Sequence, residues 1–185
     1  MNGSVEKSDV VIQGCLDSCT RLLVVTNTLT APQFCARWNE HNSIGPHMRH
    51  CYEHFSALRD GFDGGTINYD IRERNQELEQ DPAAFAAVMT GIVRWLEAMD
   101  AEILEAPLTI RQIPRVGAEE ISSASTLRRE LLFLTSHTIH HLAIVSMLAE
   151  IHGVALPPDL GVAYSTTTHE QHLDDGSATV ASAPH

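Results

Sequence analysis

Apolar and small side chains recur at three- and four-residue intervals in four long stretches of this chain, the repeat that gathers them on one face of an α-helix. The first stretch runs from about Ser8 to Leu29 through Val11, Cys15, Cys19, Leu22 and Thr26, and Pro32 marks its exit. The second starts at Ser43 as N-cap, with Pro46 in the first turn, where a missing N–H costs little. It passes through Met48, Cys51, Phe55, Leu58 and Phe62 and breaks at Asp63, Gly64 and Gly65. The third has the clearest start, Asp81 as N-cap and Pro82 at the first helical position. Phe85, Val88, Met89, Ile92, Leu96, Met99 and Ile103 trace its apolar stripe. The fourth opens at Ser125 or Thr126 and ends at His152, with Gly153 placed for the C′ position. Its ~27 residues span about 40 Å at 1.5 Å per residue.

Two long connections separate these helices. In residues 63–80, polar and apolar side chains alternate with period two from Thr66 to Arg74, the pattern of an extended crossing segment. In residues 104–124, the run from Pro107 to Pro114 reads as a short strand. No internal repeat is present. The expected fold is all-α, a four-helix bundle with two long connecting loops, in a single domain over residues 1–175. Residues 176–185, small and polar, read as a flexible tail.

Composition narrows the setting. A chain of 185 residues with 43% hydrophobic residues suits one globular domain with a substantial core. The net charge of −12, with no basic stripe, argues against a nucleic-acid partner. No run approaches the ~20 apolar residues of a spanning helix, and the first nine residues lack the layout of a secretion signal. A cytoplasmic protein without a membrane partner is expected. Four cysteines, Cys15, Cys19, Cys35 and Cys51, are too sparse and irregular for a disulfide framework and read as reduced, mostly buried thiols.

The candidate chemistry lies in two groups of histidines. His47, His50 and His54 are spaced i, i+3, i+7 on the second helix, and His137, His140 and His141 are spaced i, i+3, i+4 on the fourth. Each set occupies one side of its helix, and two such helices packed face to face bring the imidazoles together. Burying several imidazoles against each other leaves ring nitrogens unpaired at roughly 1–3 kcal/mol each. A divalent ion removes that cost, because neutral imidazole is a good ligand for zinc, nickel or iron. His137 and His141 form an i, i+4 pair able to converge on one ion, and a third ligand from the second helix is His50, then His47, then His54, in order of preference. Three histidines leave open positions, the catalytic rather than structural pattern. Unused histidines, His47 and His54 among them, would orient the ligands. Glu130, seven residues before His137, and His140 are the candidate proton carriers, although Glu130 also reads as a solvated acid at a helix N-terminus. Arg72 and Arg74, two apart in an extended segment, project the same way and can hold a substrate carboxylate, or pair at the surface with Glu73, Glu77 and Glu79.

At these residues the chain resembles the DinB-like superfamily, the group that includes bacillithiol-transferase-like metalloenzymes. The resemblance rests on the stretch Ser43–His50, the segment Asn68–Arg74, the run from Arg129 to His141 and residues 161–166. It implies a four-helix bundle, often dimeric, whose metal is held by one histidine of the second helix and an i, i+4 pair of the fourth, here His50, His137 and His141. It further implies a metal-dependent transferase or isomerase that uses a low-molecular-weight thiol on a small electrophilic substrate. Metal-dependent hydrolysis of a small molecule and a non-enzymatic bundle that binds a metal or ligand are the other two readings. No phosphate-binding glycine loop, HExxH motif or dinucleotide fingerprint occurs.

Overall fold

In the computed structural model the described residues are 9–38 and 43–181, with side chains described as far as Leu173. Four long helices dominate: α1 (Val10–Thr28), α3 (Ile44–Phe62), α5 (Pro82–Glu97) and α6 (Leu127–Ile151). Two short helices, α2 (Ala31–Cys35) and α4 (Glu77–Gln80), and a final helix, α7 (Tyr164–Ala181), accompany them. Both α1 and α3 pack against α5 and α6. Phe34, Phe55, Phe85, Leu22, Met48 and Met89 fill the shared core.

The caps follow local chemistry. Asp9 accepts from the Val11 N–H at 2.8 Å and starts α1. Asp81 does the same for Ala83 at 2.8 Å, with Pro82 in the first turn of α5. Thr126 Oγ1 accepts from the Arg129 N–H and opens α6, and Gly153, with φ of 73°, follows its last turn. Ser43 holds the N-cap position of α3 without a capping hydrogen bond from its side chain.

The two connections are more ordered than an all-α bundle requires, and the all-α expectation is corrected here. Strands β1 (Thr66–Asn68), β2 (Pro107–Gln112) and β3 (Ile121–Thr126) form one sheet in the order β1-β2-β3. β1 lies parallel to β2, with Thr66 opposite Thr109 and Asn68 opposite Arg111. β2 and β3 are antiparallel, from Pro107 opposite Thr126 to Gln112 opposite Ile121. Each segment alone is a short edge. Pairing satisfies backbone groups that would otherwise be left without partners, and only β1 comes from a distant part of the chain.

Other boundaries also differ. Pro32 sits in the first turn of α2 rather than ending a helix. α5 stops at Glu97, and a 3₁₀ turn, Ala101–Glu105, capped by Asp100, buries Leu104 and leaves Ile103 exposed. α7 continues through Ala181, and residues 182–185 of the expected tail lie outside the described residues. α6 has the length and mean hydropathy of a membrane span despite its polar interruptions. Its buried side includes Leu131, Leu134, Leu142 and Val145 and packs on α1 and α3.

Two glycines allow close approaches. A Cβ at Gly45 would stand 2.0 Å from the Glu79 carbonyl oxygen, so the first turn of α3 can rest on α4 only without a side chain. A Cβ at Gly161 would meet the Ala143 backbone at 2.3 Å, where the segment after α6 folds back over it. The described cysteines are all free. Cys15 donates to the Leu131 carbonyl at 3.2 Å, and burial pushes its thiol up to about 11 and that of Cys51 to about 12. Such thiols pack as small apolar groups and are not nucleophiles.

Candidate metal centre

α3 and α6 meet along the faces that carry the histidines, and five imidazoles form one contiguous cluster. The ring of His50 is central, with centroid distances of 4.3 Å to His54, 5.0 Å to His137 and 4.7 Å to His141. His137 lies 4.5 Å from His54 and 4.6 Å from His141. His47 joins through its Nδ1, 3.0 Å from Nδ1 of His141. The most compact set is His50, His54 and His137, whose ligating atoms all lie within 4.8 Å of one another. The cluster therefore brings together His47, His50, His54, His137 and His141. His140 is exposed at its edge, with its ring 5.4 Å from that of His141.

The nitrogen inventory fits a cation. His54 Nδ1–H donates to the His50 carbonyl at 2.9 Å, which leaves its Nε2 lone pair free. His137 Nε2 is buried without a hydrogen-bond partner among the described residues. Burial first, and neighbouring imidazoles and Arg72 next, lower His50 to about 2. Burial is likewise the leading cause that brings His54, His137 and His141 to about 4. At neutral pH these rings are uncharged, the form that ligates a metal.

Carboxylates border the cluster on two sides. Glu130, in the first turn of α6, is only 2% exposed, so it is not a solvated acid. It accepts from Tyr69 Oη at 2.8 Å and from Ser125 Oγ at 2.6 Å. The Tyr69 ring stacks on His54 at 5.3 Å, and Phe133 stacks on His137 at 5.5 Å. Burial, and then the Glu130 carboxylate, hold the Tyr69 hydroxyl far above the ordinary tyrosine range, so it stays protonated. A 340 Å³ cavity opens beside this pair, lined by Tyr69, Ser125, Arg129, Glu130 and Phe133.

On the other side, Arg72 donates to His50 Nδ1 at 2.5 Å, and its Nε lies 4.0 Å from Oε2 of Glu53. Glu53 is 5% exposed and pairs through Oε1 with Arg49 at 2.7 Å; Arg49 also reaches Glu79 at 2.7 Å. Arg72 thus points inward and does not pair with Glu73, Glu77 or Glu79 in the surface pattern. Arg74 is exposed with φ of 53°, which interrupts the extended run before it, whereas Arg72 is half-buried. A second cavity, of 330 Å³, has Glu53 and Arg72 in its wall.

The loop Tyr69–Arg74 is expected from sequence at the mouth of the cleft, but a role for the Tyr69 ring and for Glu53 is not. Tyr69 is in phase with Ile67, and both are buried, so the alternating pattern carried the signal for an inward aromatic. Glu53 stands between His50 and His54 and four residues after Arg49, a pairing position on a helix.

Residues 18–145 match the DinB superfamily, well over half of the chain and both halves of the histidine cluster. The chain belongs to the DinB superfamily. FK506-binding protein 5 from Rhizopus delemar (strain RA 99-880 / ATCC MYA-4621 / FGSC 9543 / NRRL 43880) is 30% identical to it over 104 residues, 56% of this chain and 27% of that protein. The chain thus spans about a quarter of the length of the curated relative it matches. No solved structure matches it. As a DinB-superfamily member it brings a three-histidine group able to bind a metal ion to the interface of α3 and α6.

Proposed function

We propose that this chain is a divalent-metal-dependent enzyme, a DinB-type four-helix bundle of α1, α3, α5 and α6, that uses or transfers a low-molecular-weight thiol on a small electrophilic substrate. One observation carries the reading: neutral imidazoles from two helices converge with ligating atoms within 4.8 Å, and a buried His137 Nε2 faces no partner among the described residues. His50 and His137 are the fixed ligands. His54 belongs to the compact set, whereas His141 is the residue that the family resemblance implies. Three imidazoles suit zinc or nickel.

Bound there, a divalent ion stabilises a thiolate at neutral pH and polarises a carbonyl. The chain's own groups then divide the remaining work. Tyr69 keeps its proton against Glu130 and offers a hydroxyl beside His54. Phe133 and Tyr69, whose rings touch His137 and His54, wall the 340 Å³ cavity and give the electrophile an aromatic surface one side chain away from the imidazoles. Arg129, 3.4 Å from Glu130 and over the Phe133 ring, and Arg74 at the surface are the cations nearest to hand for an anionic substituent. His140, exposed beside His141, stands between the cluster and solvent.

Elemental analysis of the purified protein tests the site. Stoichiometric metal is expected on the wild type, with at least tenfold weaker retention in His50→Ala and His137→Ala. His54→Ala beside His141→Ala identifies the third ligand as the variant that loses metal. Full retention in both His50→Ala and His137→Ala overturns the assignment. Conjugation of a model electrophile with glutathione or cysteine, with and without chelator, tests the reaction, and turnover indifferent to both thiol and chelator removes the transferase reading.

A further inference from the structure

Arg72 occupies a position that a metal-loaded His50 cannot tolerate. A guanidinium has donors only, so the 2.5 Å contact between its Nη1 and His50 Nδ1 requires Nδ1 to accept and places the neutral ring's proton on Nε2. If Nδ1 then ligates a cation, its lone pair is used and the hydrogen bond is lost. If Nε2 ligates instead, the ring's proton moves to Nδ1 and two donors face each other. Either choice expels Arg72, and like charge on the ion adds to the repulsion.

A receptor for the displaced group already exists. Oε2 of Glu53 and Nε of Arg72 are both buried, both lack a hydrogen-bond partner among the described residues, and stand 4.0 Å apart. That gap is too long for a hydrogen bond and short enough to close by side-chain rotation. Arg72 lies in a segment without regular secondary structure between β1 and α4. We propose that Arg72 is a latch on the metal centre: it caps His50 in the metal-free protein and is handed to Glu53 when His50 takes a cation. Because Arg72 and Glu53 also wall the 330 Å³ cavity, loading of the centre reshapes that cavity.

The inference rests on the three-histidine reading, and titration of the metal-free protein with Ni²⁺ alone separates the two. Arg72→Met keeps the aliphatic stem and removes the cap, so its affinity is expected to rise about tenfold, the size of one charge-assisted hydrogen bond. Glu53→Gln is expected to weaken Ni²⁺ binding several-fold in the wild-type background and to have no such effect beside Arg72→Met, a coupling that a purely structural role would not produce. In the wild type, the Arg72 Nε–H resonance should move downfield and exchange more slowly with solvent on Ni²⁺ loading. A wild type that binds no Ni²⁺ sinks the three-histidine site itself. A wild type that binds Ni²⁺ while Arg72→Met binds no more tightly, or while the Nε–H signal stays in place, sinks the latch alone.

Discussion

Glu130 shows how burial sets the role of a single side chain. At a helix N-terminus an acid is ordinarily stabilised by the helix dipole and by water. Here two hydroxyls, from Tyr69 and Ser125, take the place of water. Replacing Glu130 by Ala would strand both donors, one of them buried, and is expected to lower the unfolding free energy by about 2 kcal/mol. Tyr69→Phe removes only one partner and should cost less. Urea denaturation of the two variants checks the order, and a Glu130→Ala protein as stable as the wild type would show that the carboxylate is not held this way.

Among the elements, α3 carries most of the chemistry and depends on its first turn. Gly45 lets that turn sit against the Glu79 carbonyl, and Glu79 in turn anchors Arg49, the partner of Glu53. Gly45→Ala must push α3 away from α4 and is expected to destabilise the protein by about 1–3 kcal/mol. It should also weaken metal retention, since His47 and His50 lie within two turns of it. Thermal melting together with metal content measures both effects, and an unchanged melting temperature would contradict the close approach. The long helices and the histidine groups were legible because period and capping are local: Asp81 and Pro82 announce α5 without reference to anything distant. The strand at Pro107–Gln112 and the extended run through Thr66–Asn68 were legible one by one, but their pairing was not, since some forty residues separate them. The same holds for Arg72, whose inward direction depends on a carboxylate nineteen residues earlier that sequence spacing does not connect to it.

For the molecule as a whole, the cost of gathering imidazoles appears as a pH dependence. Their folded values are depressed, so between 6.5 and about 4 the unfolded chain binds protons at His54, His137 and His141 that the folded chain refuses. Stability is then fully present above 6.5 and falls as the pH drops through this window. Melting of the metal-free protein from pH 8 to pH 4 should show a plateau followed by a steep decline. A melting temperature that holds steady or rises on acidification would contradict the burial of neutral rings.

The junction of β3 and α6 has no linker: Thr126 is the last residue of the strand and the cap of the helix. The backbone of this one residue therefore sets the direction in which α6 leaves the sheet. A shift of β3 along β2 would move the start of α6 with it, and with that start the helix that carries His137 and His141. Substitutions on the sheet, far from any imidazole, are accordingly a means of retuning the centre at a distance.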